Sequence, residues 1–334
     1  MRPPAHPHVS GDAVTCPVMP ETSTPSEAAR TRARPAARTA AQPTTWQGRF
    51  WREVRGYAEA LAIAYLVVTF VFTTVGVIGS SMEPNLDGGV GRGNLIRSLL
   101  TGDRVFIPKY DTWLRRAGVL GEYERGAVVV LREPANAPTA LETGRRSFYI
   151  KRVIGQPGDR VRIERGQVYV NGHPVDQGFI TDSGTVYVAP VDFPRVVVED
   201  GEVAGMVVDF QRSANGNWLP RLGGGGVVAV NDPRAQLFYG NVLANIEVPP
   251  GTPEGVPVVL DLVVPEGTYF VMGDNRTPSG SEDSRYFGPI DAIAIAGRAT
   301  AVIWPPRRDG EWNWRLLPAP EAFEAVPDAS AAGG

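Results

Sequence analysis

Cysteine is nearly absent from this chain of 334 residues: Cys16 stands alone, in a polar, Pro-rich tail. A single thiol excludes a disulfide framework and argues against a cysteine-ligated zinc site. Histidine is almost as scarce. His6 and His8 share that tail, and His173 lies in Asn171-Gly172-His173-Pro174, which reads as a hairpin turn. A histidine-based triad and a multi-histidine metal site are therefore poorly supplied. Lysines are few, with Lys109 and Lys151 each in a strand-like run. Excess positive charge is missing too: the net charge is -3, so nucleic acid is not an expected partner. Neither a cofactor nor a metal ion is expected.

What the chain does have is one long apolar run. Ala60 to Gly79 (ALAIAYLVVTFVFTTVGVIG) contains twenty residues and no charge. As a helix it would rise about 30 Å, the thickness of a bilayer's hydrocarbon core. Arg30, Arg32, Arg34, Arg38, Arg49, Arg52 and Arg55 precede it, and the first charges beyond it are Glu83 and Asp87. The positive-inside rule then predicts a cytoplasmic N-terminus, with everything after Gly79 on the far side. Trp46, Phe50, Trp51 and Tyr57 suit an interfacial aromatic belt. The expected order is a disordered cytoplasmic tail (1–45), a juxtamembrane segment (46–57) and a transmembrane helix (58–79). A buried core helix fits less well, given the Arg-rich flank. A cleaved signal peptide fits less well because about sixty residues precede the run. An organellar transit peptide would change the location and not the chemistry.

Beyond Gly79 the pattern is strand-like. Short β-branched or aromatic runs (Val128 to Leu131, Tyr149 to Ile154, Val161 to Ile163, Val168 to Val170, Tyr269 to Met272) are bounded by Gly and Pro. The fold is expected to be mainly β, with a β core formed by 80–175 and 262–310. Residues 176–261 are valine-rich and read as an inserted second β lobe, and 311–334 as a C-terminal tail.

Ser81 lies two residues past the apolar run. Serine is a weak nucleophile unless a base takes its proton, and with histidine scarce the available bases are carboxylates and lysines. A lysine serves only when burial lowers its pKa. In an extended strand Tyr149, Lys151 and Val153 share a face while Arg152 points away, which gives Lys151 apolar neighbours. Seventy residues separate it from Ser81. Spacing alone leaves two readings open: a reacting pair, or a serine capping the exit from the membrane and a lysine snorkelling at a strand edge. A third cluster runs from Met272-Gly273-Asp274-Asn275-Arg276 to Ser281-Glu282-Asp283-Ser284-Arg285. It is either a solvated surface loop or a rigid ion-paired loop that shapes a site.

Together these segments resemble the type I signal peptidases, membrane-anchored Ser/Lys proteases that remove signal peptides from exported preproteins. Ser80-Ser81-Met82-Glu83-Pro84-Asn85-Leu86 resembles the family's nucleophile motif. Gly102-Asp103 through Lys109-Tyr110 resembles the strand motif that follows. Tyr149 to Asp159 resembles the general-base motif, and Gly273 to Arg276 with Ser281 to Arg285 the last one. The resemblance covers about 60–175 and 262–305. It implies a signal-peptidase-like β-sheet catalytic core, with Ser81 as nucleophile and Lys151 as general base. It also implies supporting or oxyanion roles for Ser80, Ser281, Asp283 and Arg285, and substrate contacts at Met82, Pro84, Tyr149 and Ile150. Signal peptides would be the substrates, and the lipid bilayer and translocation machinery the partners. The enzyme would sit as a single-pass protein in the plasma (inner) membrane, with its catalytic domain outside the cytoplasm. Four departures stand out: Asn85 replaces the usual threonine, 87–101 looks inserted, Ala127 replaces the usual aspartate of a strand motif, and the last motif is two residues longer. The extra length leaves Ser279 and Ser281 both eligible to orient the lysine; Ser281, two residues before Asp283, is the expected one. A specialised maturation peptidase of the same chemistry, or an inactive membrane-tethered β binding module, are the alternatives.

Overall fold

The computed structural model describes residues 45–89, 100–221 and 225–329. The tail expected to be disordered lies outside these apart from Thr45, as do residues 90–99 of the insertion. The chain divides into two compact units, one ending at Arg55 and one beginning at Gly56; every sheet and the candidate site belong to the second.

The apolar run does not form one helix. α1 spans Trp46–Leu66, a single π-type turn follows at Val67–Val71, and the chain then extends into β1 (Phe72–Gly76). The expected boundaries at 46–57 and 58–79 are thus replaced by helix from Trp46 to Val71 and strand after it. Composition explains the change. Phe72-Thr73-Thr74-Val75 is aromatic and β-branched, which lowers helix propensity and suits a pleated surface. A partner is available as well: β2 (Arg104–Pro108) pairs antiparallel with β1 from Phe72↔Pro108 to Gly76↔Arg104. The 26 residues Trp46–Val71 remain long and apolar enough to cross a bilayer, and no residue of α1 is buried.

The fold is mainly β, as the sequence pattern suggests. β1 and β2 continue through strands Ala301–Trp304 and Arg315–Leu316 into a four-stranded sheet. A five-stranded sheet holds β3 (Val128–Arg132) and β4 (Phe148–Gly155) at its centre, with strands Ile295–Arg298 and Thr268–Met272 on either side. β3 shows why the sequence there is an unbroken apolar run. Val129 and Leu131 enter one core cluster, while Val128 and Val130 enter a second beside Met82, Leu86, Val105, Ile107 and Ile150. Both faces are therefore buried, and alternation disappears.

β5 (Arg160–Glu164) and β6 (Gln167–Val170) form the predicted hairpin region with His173–Pro174. Asn171 and Gly172 both have positive φ, 51° and 79°, the geometry that an Asn-Gly hairpin turn requires.

Residues 176–261 do build a sheet of their own, ordered Val227–Ala229, Glu202–Val207, Arg195–Glu199, Val258–Val259. They also contain an eleven-residue helix, Pro233–Leu243, capped by Asp232, so the segment is not purely β. Val196, Met206, Phe238 and Tyr239 share one apolar cluster with Val161, Val170, Tyr269 and Phe270 of the central sheets. The insertion is fused to the core and does not stand apart from it.

Nor are the described residues of the expected C-terminal tail, 311–329, loose. Arg315–Leu316 adds a strand, and Phe323 and Val326 are buried in the main cluster. Asp103, fully buried, gathers Arg308 at 3.1 Å, Arg315 at 3.0 Å and the Asn313 amide at 3.0 Å. These contacts fix the C-terminal segment beside the chain that leads into Ser81.

Candidate active site

Ser81 opens a short turn after β1. Met82 and Leu86, 1% and 0% exposed, anchor this turn in the second core cluster. Polar contacts hold its other side to the segment that follows strand Thr268–Met272. The Asn275 N–H donates to the Ser81 carbonyl at 3.1 Å, and the Asn275 side-chain amide donates to the Ser80 carbonyl at 3.0 Å. Asn85 donates to Asp274 at 3.0 Å and to the Phe179 carbonyl at 3.1 Å. Arg315 donates to the Asn85 carbonyl at 2.7 Å. Gly273 lies so close beneath the turn that a methyl group there would overlap the Ser81 carbonyl oxygen and the Ser281 side chain.

Lys151 lies on β4, opposite Val129 of β3. Its Nζ is 3.0 Å from Ser81 Oγ, and the residue is 2% exposed. The ammonium also lies 5.0 Å from the Tyr149 ring centroid. Burial is the main influence on this amine and brings its pKa from 10.5 to about 8. Asp283 and Glu282 pull it up, and Arg285 pushes it down. Lys109, the other candidate base, donates to the Thr69 carbonyl at 2.9 Å and so closes the end of the N-terminal helix.

The third cluster is an ion-paired loop. Arg285 holds Asp283 through two contacts of 2.8 and 2.9 Å, and the Gly273 N–H donates to Asp283 at 3.1 Å. Burial alone would raise the Asp283 carboxyl; the Arg285 charge and these hydrogen bonds more than offset it and leave the pKa below the ordinary carboxylate value. Arg152, on the face of β4 away from Lys151, pairs with Asp274 at 2.6 Å. Ser279 is at an exposed position with φ 59°. Ser281 is 4% exposed, and its hydroxyl has no hydrogen-bond partner among the described residues. The expected hydrogen bond between Ser281 and Lys151 is not formed in this arrangement.

A groove of about 580 Å³ runs past Ser81 and Lys151 between chain 75–82 and chain 147–151. Tyr149, Ile150 and Ser80 line it, together with Thr139, Gly280 and Glu282. Met82 touches the groove but is committed to the core, and Pro84 does not line it. Tyr149 donates its hydroxyl to Glu133 at 2.5 Å, and Glu282 accepts from the Thr139 N–H at 3.0 Å and from its hydroxyl at 2.5 Å. Burial raises the Glu282 carboxyl above its ordinary value. Asn85, Asn275 and Glu133 were not singled out as site residues from sequence. Asn275 sits inside a motif already marked, but its carbonyl-holding role becomes visible only once Ser80 and Ser81 lie beside it.

A hydroxyl within hydrogen-bond reach of a desolvated amine, beside a groove open to an extended chain, suits acyl transfer. Comparison with known proteins agrees on the class. Residues 51–304 match the family described as signal peptidase, peptidase S26. The chain is 33% identical over 261 residues to a protein named probable signal peptidase I-2 from Synechocystis sp., covering 78% of this chain and 76% of that one. It is 26% identical over 250 residues to signal peptidase IB of Staphylococcus aureus, covering 74% and 86% of the two chains. A crystal structure of a signal peptidase I from Enterococcus faecalis aligns with 54% of this chain and 99% of its own, at 20% identity and a TM-score of 0.26. The chain belongs to the signal peptidase family, peptidase S26. It is a hydrolase, a serine endopeptidase of the signal peptidase type.

Proposed function

We propose that this protein removes N-terminal signal peptides from exported preproteins by a Ser81/Lys151 dyad. Neutral Lys151 accepts the Ser81 proton as Oγ attacks the scissile carbonyl, and the resulting ammonium donates to the leaving amine. Water then hydrolyses the acyl-enzyme. Backbone N–H groups at Ser81 and its neighbours hold the oxyanion, a contribution of about 3–4 kcal/mol per donor in comparable sites. The carrying observation is the 3.0 Å contact between Ser81 Oγ and Lys151 Nζ, with the lysine 2% exposed.

The substrate lies extended in the groove between 75–82 and 147–151. Main-chain pairing with the flanking segments supplies affinity, and Tyr149 and Ile150 contribute to shallow side-chain pockets. Asp283 and Arg285 act as positioning residues through Gly273 and the Ser81 turn. The exposed apolar helix Trp46–Val71 anchors the enzyme in the membrane, with the arginine-rich N-terminal side in the cytoplasm. Because β1 follows this helix after no further residues, Ser81 stays close to the lipid boundary where a membrane-inserted signal peptide emerges.

Ser81→Ala and Lys151→Ala, assayed separately on a preprotein in detergent, should each lower kcat by about 10²–10⁴-fold or more while leaving the fold intact. Near-full processing by Lys151→Ala would refute the dyad.

A further inference from the structure

The loop that carries Ser281 also closes a second cavity. It measures about 180 Å³ and lies between segment 188–193 and the 276–281 loop. Val188, Val191, Phe193 and Met272 supply an apolar wall. Polar side chains border it as well: two guanidinium groups, Arg276 and Arg285, and the hydroxyl residues Thr277, Ser279, Ser281 and Tyr286.

The charges around this cavity do not balance. Arg152 pairs with Asp274 and Arg285 with Asp283. Arg276 is 4% exposed, and its hydrogen bonds go to neutral oxygens: the Gly273 carbonyl at 2.7 Å and the Gln177 side chain at 3.0 Å. Among the described residues no carboxylate lies within ion-pair distance of it. Burial, then the neighbouring Arg285 charge, bring its pKa from 12.5 to about 10 against the weaker opposing pull of the Asp274 and Asp283 charges. A buried unpaired charge is costly and favours an anion beside it. The Ser281 hydroxyl, buried and without a partner, offers a donor at the same wall.

We propose that this cavity is a binding site for a small apolar monocarboxylate. The Arg276 guanidinium and the Ser281 hydroxyl hold the carboxylate, and Val188, Val191 and Phe193 enclose the hydrocarbon. A guanidinium fork matches a carboxylate's two oxygens, which favours this anion over a halide. The size fits as well: a dry apolar cavity of about 150 Å³ takes benzene, so benzoate is a suitable probe. Inorganic phosphate matches the charge but not the wall.

The test is calorimetric titration of the full chain in detergent with benzoate, benzamide and inorganic phosphate. Benzoate should bind saturably, and at least tenfold more tightly than either comparison compound. Val188→Phe, which fills the cavity and leaves the polar groups in place, should weaken benzoate by at least tenfold. Val191→Phe replaces it if that variant fails a circular-dichroism check of folding, and the benzoate–benzamide contrast needs no variant at all. Absence of saturable benzoate binding, equal binding of benzamide or phosphate, or undiminished binding in a folded cavity-filled variant overturns the proposal. Heat of binding does not depend on proteolysis, so Ser81→Ala should bind benzoate as the unaltered chain does, whatever becomes of the dyad.

Discussion

Replacing Lys151 with methionine should make the protein more stable at neutral pH. The amine titrates at 10.5 when solvated and at about 8 in the fold, chiefly because burial disfavours its charge. The folded state therefore binds a proton less readily than the unfolded chain. Between pH of about 8 and 10.5 the unfolded lysine holds more protons, so stability rises with pH across that window. Below it the full cost remains, about 3 kcal/mol at 1.36 kcal/mol per pH unit of displacement. Methionine fills nearly the same volume with no charge to desolvate. Ser81 is only partly buried, so water can replace its lost partner. Lys151→Met should then gain about 3 kcal/mol at pH 7 and less than about 1 kcal/mol at pH 10. For a domain of this size the first figure corresponds to roughly 6 °C in Tm. Thermal unfolding of the two proteins in the same detergent, followed by tryptophan fluorescence at both pH values, measures the difference. A variant less stable than the parent at pH 7, or a gain that does not shrink at pH 10, would refute the reasoning.

On the proposed mechanism the same titration governs rate. At pH 7 about one Lys151 in ten is neutral, against about three in ten thousand for a free amine; kcat/KM should climb close to tenfold per pH unit below about 8 and level off above it. A plateau already reached at pH 6 would mean that another group takes the proton. Gly273→Ala should lower kcat at least a hundredfold, because the added methyl displaces the Ser81 turn and a shift of about 1 Å can have that effect. A Tm within a few degrees of the parent would separate this from unfolding, and full activity would show that the turn can yield.

The strands were legible where one physical cause acted alone. The unbroken valine run at β3, buried on both faces, and the Asn171-Gly172 turn are of this kind. The end of the N-terminal helix was not, because an apolar, uncharged run suits a span and a half-buried strand alike. Only the pairing of Thr73, Thr74 and Val75 with β2 decides between them. The C-terminal segment misled for a related reason. Its anchor is the buried carboxylate of Asp103, more than two hundred residues away in sequence, and Arg308, Arg315 and Asn313 look like ordinary surface residues until that partner is known. At the candidate site the motifs marked segments that the fold brings together, and alternation along β4 already gave Lys151 apolar company. The unbonded Ser281 hydroxyl and the roles of Asn85 and Asn275 depend on contacts between distant segments, which no local pattern encodes.

The ion pairs around Lys151 make sense as a problem in charge cancellation. The amine must be buried to lose its proton near neutral pH, yet the loop that braces the Ser81 turn brings a fully buried carboxylate, Asp283, into its field. Alone, that carboxylate would favour the ammonium and undo the effect of burial. Arg285 grips both Asp283 oxygens and opposes it, and Arg152 does the same for Asp274 on the other side of β4. The arginines thus allow the loop to be held by strong, directional contacts without returning the lysine to its charged form. Glu282 retains part of the opposing influence, and it does so at the groove, where an incoming peptide would displace water from it. Stiffness comes from the aspartates, and basicity near neutral pH survives because each aspartate is matched by its own guanidinium.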